Sequence, residues 1–150
     1  MHMRARTWII IGAVAVAAGM AYGLKEFNRG LAEVEAMDAV ESVDASALLA
    51  AFVADDQAAR AKYVGATEQA IRVLGVISAI EPGTDSAPTN VRLDAGDPMA
   101  SVVCEFAADQ LPAEWKVGDQ VALKGICQGY TGEGMMPGDV ILQRCVAAEQ

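Results

Sequence analysis

Three cysteines are the residues of this 150-residue chain whose types and spacing could do chemistry: Cys104, Cys127 and Cys145. Thiols can bind metals, attack substrates or join as disulfides. No two of them form a Cys-x-x-Cys pair, and the single histidine, His2, lies at the far N-terminus. That pattern argues against a metal centre, so no metal and no cofactor is expected. A disulfide fits better. Residues 121–129 and 139–145 read as two short strands flanking a glycine-rich loop. A hairpin centred near Met136 sets Cys127 opposite Cys145. Directly opposed antiparallel residues come close enough for the bond when they form a non-hydrogen-bonded pair. Cys104 is then a free, buried thiol, or an alternative partner of either one, because barrel closure can bring its strand beside the last.

The remaining polar clusters do not build a reaction centre. A histidine-dependent triad has no histidine to use beyond His2. Asp55 and Asp56 are adjacent, and adjacent helical carboxylates do not converge on one substrate. The run Gly129-Tyr130-Thr131-Gly132-Glu133-Gly134 lies between two strands. A phosphate cradle needs a helix N-terminus there. No catalytic residue and no enzymatic activity is expected.

The elements that must position the cysteines follow from hydrophobic pattern. Residues 46–64 show a Leu48, Leu49, Phe52, Ala59, Tyr63 stripe that reads as an amphipathic helix, capped by Asp44 or Ser46 and stopped at Gly65. Beyond Gly65 the pattern changes to strands. They are expected at 70–80, 90–94, 99–106, 120–128 and 139–147, separated by Gly/Pro/Asp turns. Gly75 interrupts the first strand and predicts a sharp bend. A short helical turn is expected around Leu111 and Trp115. Five strands with a bent first member and an interruption after the third predict a mainly β domain, a five-stranded OB-fold barrel over 66–150.

Residues 7–24 carry no charge. As a helix they rise about 27 Å, enough to cross a bilayer core. Trp8 and Tyr22 stand near the two ends, where amphipathic rings favour the membrane interface, and mark an anchor. A cleaved signal peptide is the rival reading. Arg4 and Arg6 precede the run, and all 20 acidic residues follow it. The positive-inside rule therefore keeps residues 1–6 in the cytoplasm and sends the rest outside it, to the periplasm or cell exterior. Residues 25–45 read as a juxtamembrane stalk, with Leu31, Val34, Met37 and Val40 at intervals of three. A flexible tether or a short helical turn would both fit. The formal net charge of −9 works against nucleic-acid binding, which uses a basic surface.

The chain resembles a bacterial family of membrane-anchored OB-fold proteins described as tRNA-anticodon-binding-domain-like. The resemblance rests on an ordered set of segments. They are Tyr22 with Phe27-Asn28, residues 46–52, Asp55-Asp56 through Lys62-Tyr63, and residues 73–80. Val103 to Phe106, Val117 to Val121, Gly125 to Gly129 and Asp139 to Cys145 complete it. One departure is visible: the family often places a lysine soon after the glycine that follows the Tyr63 position, and this chain has Ala66-Thr67. The resemblance implies the barrel and the anchor, and no activity, because the family name reflects likeness of fold. The expectation is an extracytoplasmic binding or scaffold module for an envelope protein or small molecule. The alternative is a cytoplasmic-facing nucleic-acid or nucleotide-binding OB domain.

Overall fold

The computed structural model describes residues 34–149, together with Val16, Ala18, Gly19 and Tyr22. The chain divides into two units, Met1–Glu33 and Val34–Gln150. In the first, the four described residues are helical, and Tyr22 is exposed. The rest of the expected span, Trp8 included, lies outside the described residues. No helix among the described residues is long and apolar enough to cross a membrane.

The second unit opens with strand β1 (Ala39–Asp44), then helix α1 (Ala45–Ala54) and the short helix α2 (Asp56–Ala59). A π-helical turn (Arg60–Val64) follows. Five strands then build the barrel: β2 (Ala70–Glu81), β3 (Thr89–Asp97), β4 (Ala100–Phe106), β5 (Gln120–Tyr130) and β6 (Val140–Ala147). The order β2-β3-β4-β6-β5 closes on itself, because β5 also pairs with β2. All pairings in the ring are antiparallel except β4 with β6, which is parallel. Closure gives each strand of the ring a neighbour on both sides, which limits open sheet edges, the usual aggregation hazard of a small β domain.

The first barrel strand serves two sides, as its central glycine predicts. Residues Ile71 to Val76 pair with β5, and Ile77 to Glu81 pair with β3. The changeover comes just after Gly75. A Cβ there would meet the Ala45 Cβ at 3.1 Å and the Leu93 Cβ at 3.2 Å, so a side chain would crowd the close crossing of α1, β2 and β3.

Alternation fixes what lies inside. Val91, Leu93 and Ala95 of β3 and Val102, Cys104 and Phe106 of β4 point into the core, with Val140, Leu142 and Cys145 of β6. Helix α1 adds Leu48, Leu49 and Phe52 to the same cluster. The Phe52 ring packs 6.1 Å from Tyr63 and 6.3 Å from Tyr130, within the range of favourable aromatic pairs. Phe106 meets Trp115 edge to face at 5.8 Å.

The amphipathic segment departs from one continuous helix. Asp55 adopts an extended conformation (φ −157°, ψ 95°) and ends α1. Its carboxylate then accepts the Ala58 amide at 3.0 Å and caps α2. Asp44 stands at the α1 N-cap without a side-chain cap. Around Leu111 and Trp115 the chain makes turns rather than a helix.

Part of the expected stalk belongs to the barrel unit. β1 pairs in parallel with the first half of β2, from Ala39↔Ala70 to Asp44↔Leu74. Just before it, Val34 and Met37 pack against Ala70, Ile126 and Val146. Lys124 Nζ donates to the Glu35 and Met37 carbonyls, at 2.7 Å each. The spacing of apolar residues by three suggested helix. Backbone pairing to a strand edge decided otherwise at Ala39–Asp44, and among the described residues of the segment before β1 the helical pattern holds at Val34 to Ala36.

Candidate functional site

The three thiols do not pair as the hairpin count predicts. All are free and buried. In the β5–β6 ladder Cys127 faces Leu142, with register shifts between Lys124 and Ile126 and between Cys127 and Gly129. Arg144, at φ 51°, adds a further irregularity in β6. These bulges carry Cys145 to Gly125, where a Cβ would stand 2.6 Å from the sulfur. The glycine makes the pocket that holds the thiol. Closure brings β4 beside β6, which sets Cys104 near enough to the Cys145 thiol to act on its titration. Burial first, and then that contact, push the Cys145 thiol well up. Burial likewise pushes Cys127 up to about 11. At neutral pH both stay protonated, and a protonated buried thiol is a poor nucleophile.

A polar cluster on the outer face of β3 and β4 was not visible in the sequence pattern. Arg92 Nη1 donates to Asp139 Oδ2 at 2.8 Å and to Ser101 Oγ at 2.9 Å. Arg92 Nε donates to Glu81 Oε1 at 2.7 Å. The other oxygen of Asp139 accepts the Ser101 amide at 2.8 Å and the Ser101 hydroxyl at 3.0 Å. Burial acts to raise the Asp139 carboxyl, but the donors of Arg92 and Ser101 outweigh it and hold the group below its ordinary range. The bonds to Asp139 and then Glu81 raise Arg92. Asp139 immediately precedes Val140, where β6 begins its parallel pairing with Val102. The cluster therefore latches the seam that closes the barrel.

Two grooves open beside this latch and share the β3–β4 turn. One, of about 440 Å³, is lined by Ser78, Arg92, Asp94, Ser101 and Asp139. The other, of about 420 Å³, is lined by Val53, Met99, Tyr130, Met135 and Met136. Asp97, Pro98, Met99 and Ala100 form part of both walls. The second groove is bordered by the loop 131–139, which is tied at its base. Thr131 N donates to the Asp139 carbonyl at 2.9 Å, and Gly138 N donates to the Tyr130 hydroxyl at 3.1 Å. A tight turn, with Met136 N donating to the Glu133 carbonyl at 2.9 Å, puts Met135 at the tip.

Two sequence signals could have drawn attention here, though neither specifies the cluster. Arg92 is the lone cation between Arg72 and Lys116 in an acidic domain, and Met135-Met136 is an apolar pair inside a glycine-rich loop. Asp55 and Asp56 serve local structure, Asp55 as the cap and Asp56 as the partner of Arg60 at 2.7 Å. Among the described residues no cluster of His, Cys, Asp and Glu has a metal-binding arrangement. The face and the two bordering loops, 82–88 and 131–139, occupy the positions at which OB barrels hold extended ligands.

The comparisons agree with this architecture. A lipoprotein of Klebsiella pneumoniae subsp. pneumoniae, proposed to bind nucleic acid, has a solved structure that superposes with a TM-score of 0.53 at 17% identity. The match covers 78% of this chain and 96% of that one. At that identity it establishes likeness of fold. No curated protein matches the chain. The model of the tRNA_anti-like family matches residues 1–146, nearly the whole chain, and the protein belongs to that family.

Proposed function

We propose that the protein is a non-enzymatic binding module, an OB barrel held at the outer face of the cytoplasmic membrane by its N-terminal segment. The observation that carries this reading is the pair of grooves meeting at the β3–β4 turn, on the ligand-bearing side of the fold. The charge-free run 7–24 behind Arg4 and Arg6 supports the anchor and its orientation. The similar Klebsiella protein is a lipoprotein, which fits a membrane-tethered barrel.

That relative's proposed ligand favours a second reading, a nucleic-acid-binding barrel facing the cytoplasm. The chemistry of the face gives it less support. Arg92 is already held by Asp139 and Glu81, and Asp94 and Asp97 stand beside it. Phosphate backbones are bound by surplus cations, and bases stack on exposed rings. Phe106 is buried, Trp115 packs on it, and Tyr130 lies on Phe52. A C-terminal alkaline phosphatase fusion tests the choice. Activity is expected. An inactive phosphatase paired with a bright cytoplasmic fluorescent fusion would overturn the proposed orientation.

A further inference from the structure

The groove beside the 131–139 loop leaves large apolar side chains in water. Met135 is 101% exposed, Met99 74%, Met136 73% and Val53 65%. Four such residues around one groove are more than scattered surface hydrophobes, and contiguous exposed apolar area marks interaction sites. The exposure is built by the tied loop base and the tight turn that raises Met135. Methionine is unbranched and polarizable, suited to a partner surface of irregular shape.

Charge selects the occupant. Asp97 lines both grooves, Asp94 lines the adjoining one, and Glu133 precedes Met135 by two residues. Among the described residues, Asp94 and Asp97 pair with no cation. Asp94 accepts only the Gly96 amide and Asp97 only the Met99 amide, both at 2.8 Å. The one cation in either lining, Arg92, is taken by Asp139 and Glu81. A second copy would bring an acidic rim against an acidic rim, and like charges across an interface oppose association. An anionic lipid surface or a nucleic acid would meet the same repulsion.

Resting on the binding-module reading, we propose that this surface docks a cationic segment of a partner protein, which buries an apolar side chain among Met99, Met135 and Met136 and sets its lysines or arginines against Asp94 and Asp97. The test uses the full chain in phosphatidylcholine nanodiscs and a short fluorescent peptide with lysines on either side of a leucine pair. One control peptide has serines for the leucines, and another has glutamates for the lysines. Anisotropy titration should show the lysine–leucine peptide binding at least about tenfold tighter than either control. Met135→Ser with Met136→Ser should weaken it about tenfold, and Asp94→Asn with Asp97→Asn should weaken it similarly and flatten its salt dependence. Unchanged melting temperatures of the variants would show that the fold is intact. The inference fails if the lysine–serine peptide binds equally, if either double variant binds like the parent, or if a single-stranded oligonucleotide displaces the peptide. It also fails if sedimentation shows a dimer that the methionine variant dissociates. An active phosphatase fusion with no peptide binding sinks this inference alone. An inactive fusion sinks the broader reading, whatever the peptide does.

Discussion

Asp139→Asn is the sharpest perturbation of the latch. Asparagine keeps the shape of aspartate but replaces one acceptor oxygen with a donor. If its oxygen stays with Ser101, its amide group must face Arg92 Nη1, donor against donor. One charge-assisted hydrogen bond is lost, and such bonds contribute roughly 1.5–3 kcal/mol. The side chains of Arg92 and Asp139 are 32% and 25% exposed, so solvent screening favours the lower end, about 1–2 kcal/mol. For a domain of this size each kcal/mol moves the melting temperature by roughly 3–5 °C, which gives a fall of about 3–10 °C. Circular dichroism melts of the full chain in detergent would read it. The Asp139 carboxyl is depressed in the fold. Its contribution is therefore fully present above the ordinary carboxyl range and is lost as pH falls through the lower folded value. The gap between parent and variant should be flat from about pH 5 upward and should close in acid. Glu81→Gln is the control. Its carboxylate is 49% exposed, and breaking that surface pair should cost under about 1 kcal/mol. The latch is refuted if Asp139→Asn melts within about 1 °C of the parent, or if Glu81→Gln costs more.

The thiol pocket and the thiols themselves give two further tests. Gly125→Ala should destabilise the fold by about 1–3 kcal/mol through overpacking against the Cys145 sulfur, and Cys145→Ala should relieve most of that cost. A double-mutant cycle in urea with coupling below about 0.5 kcal/mol would refute the contact. In the native protein a maleimide at neutral pH should leave Cys104, Cys127 and Cys145 unlabelled, because each is at most 1% exposed. After denaturation without reductant all three should label. Rapid native labelling would contradict the closed barrel, and loss of a thiol pair after denaturation would contradict the free state.

Much of the barrel could be read from composition along the chain, because its determinants are local. The β-branched run at 70–80, the Ala95-Gly96-Asp97-Pro98 turn and the apolar runs on either side of the 131–139 loop each announce themselves within a few residues. Gly75 carried more, since a bend in the first strand is what lets it pair with both β5 and β3. What escaped depends on partners distant in sequence. Arg92 and Asp139 are 47 residues apart, and nothing near either names the other. β1 holds its place by backbone pairing to β2, which its side chains do not advertise. The break at Asp55 was hidden by reading two adjacent acids as helix surface, although aspartate is a strong N-cap residue.

The cysteines show where counting residues stops being enough. A symmetric count across a hairpin assumes a regular ladder, and a single extra residue reverses which face every later side chain takes. In β5 and β6 the register shifts twice, and Arg144 turns through positive φ. The result keeps Cys145 in the core but slides it along the ladder, away from Cys127 and against Gly125. The same barrel closure that sets β4 beside β6 then supplies a different neighbour, Cys104. The thiols thus report how the barrel closes, while the proposed docking surface is made of other groups, where Arg92 is held by Asp139 and Glu81 and the methionines and aspartates are left to face solvent.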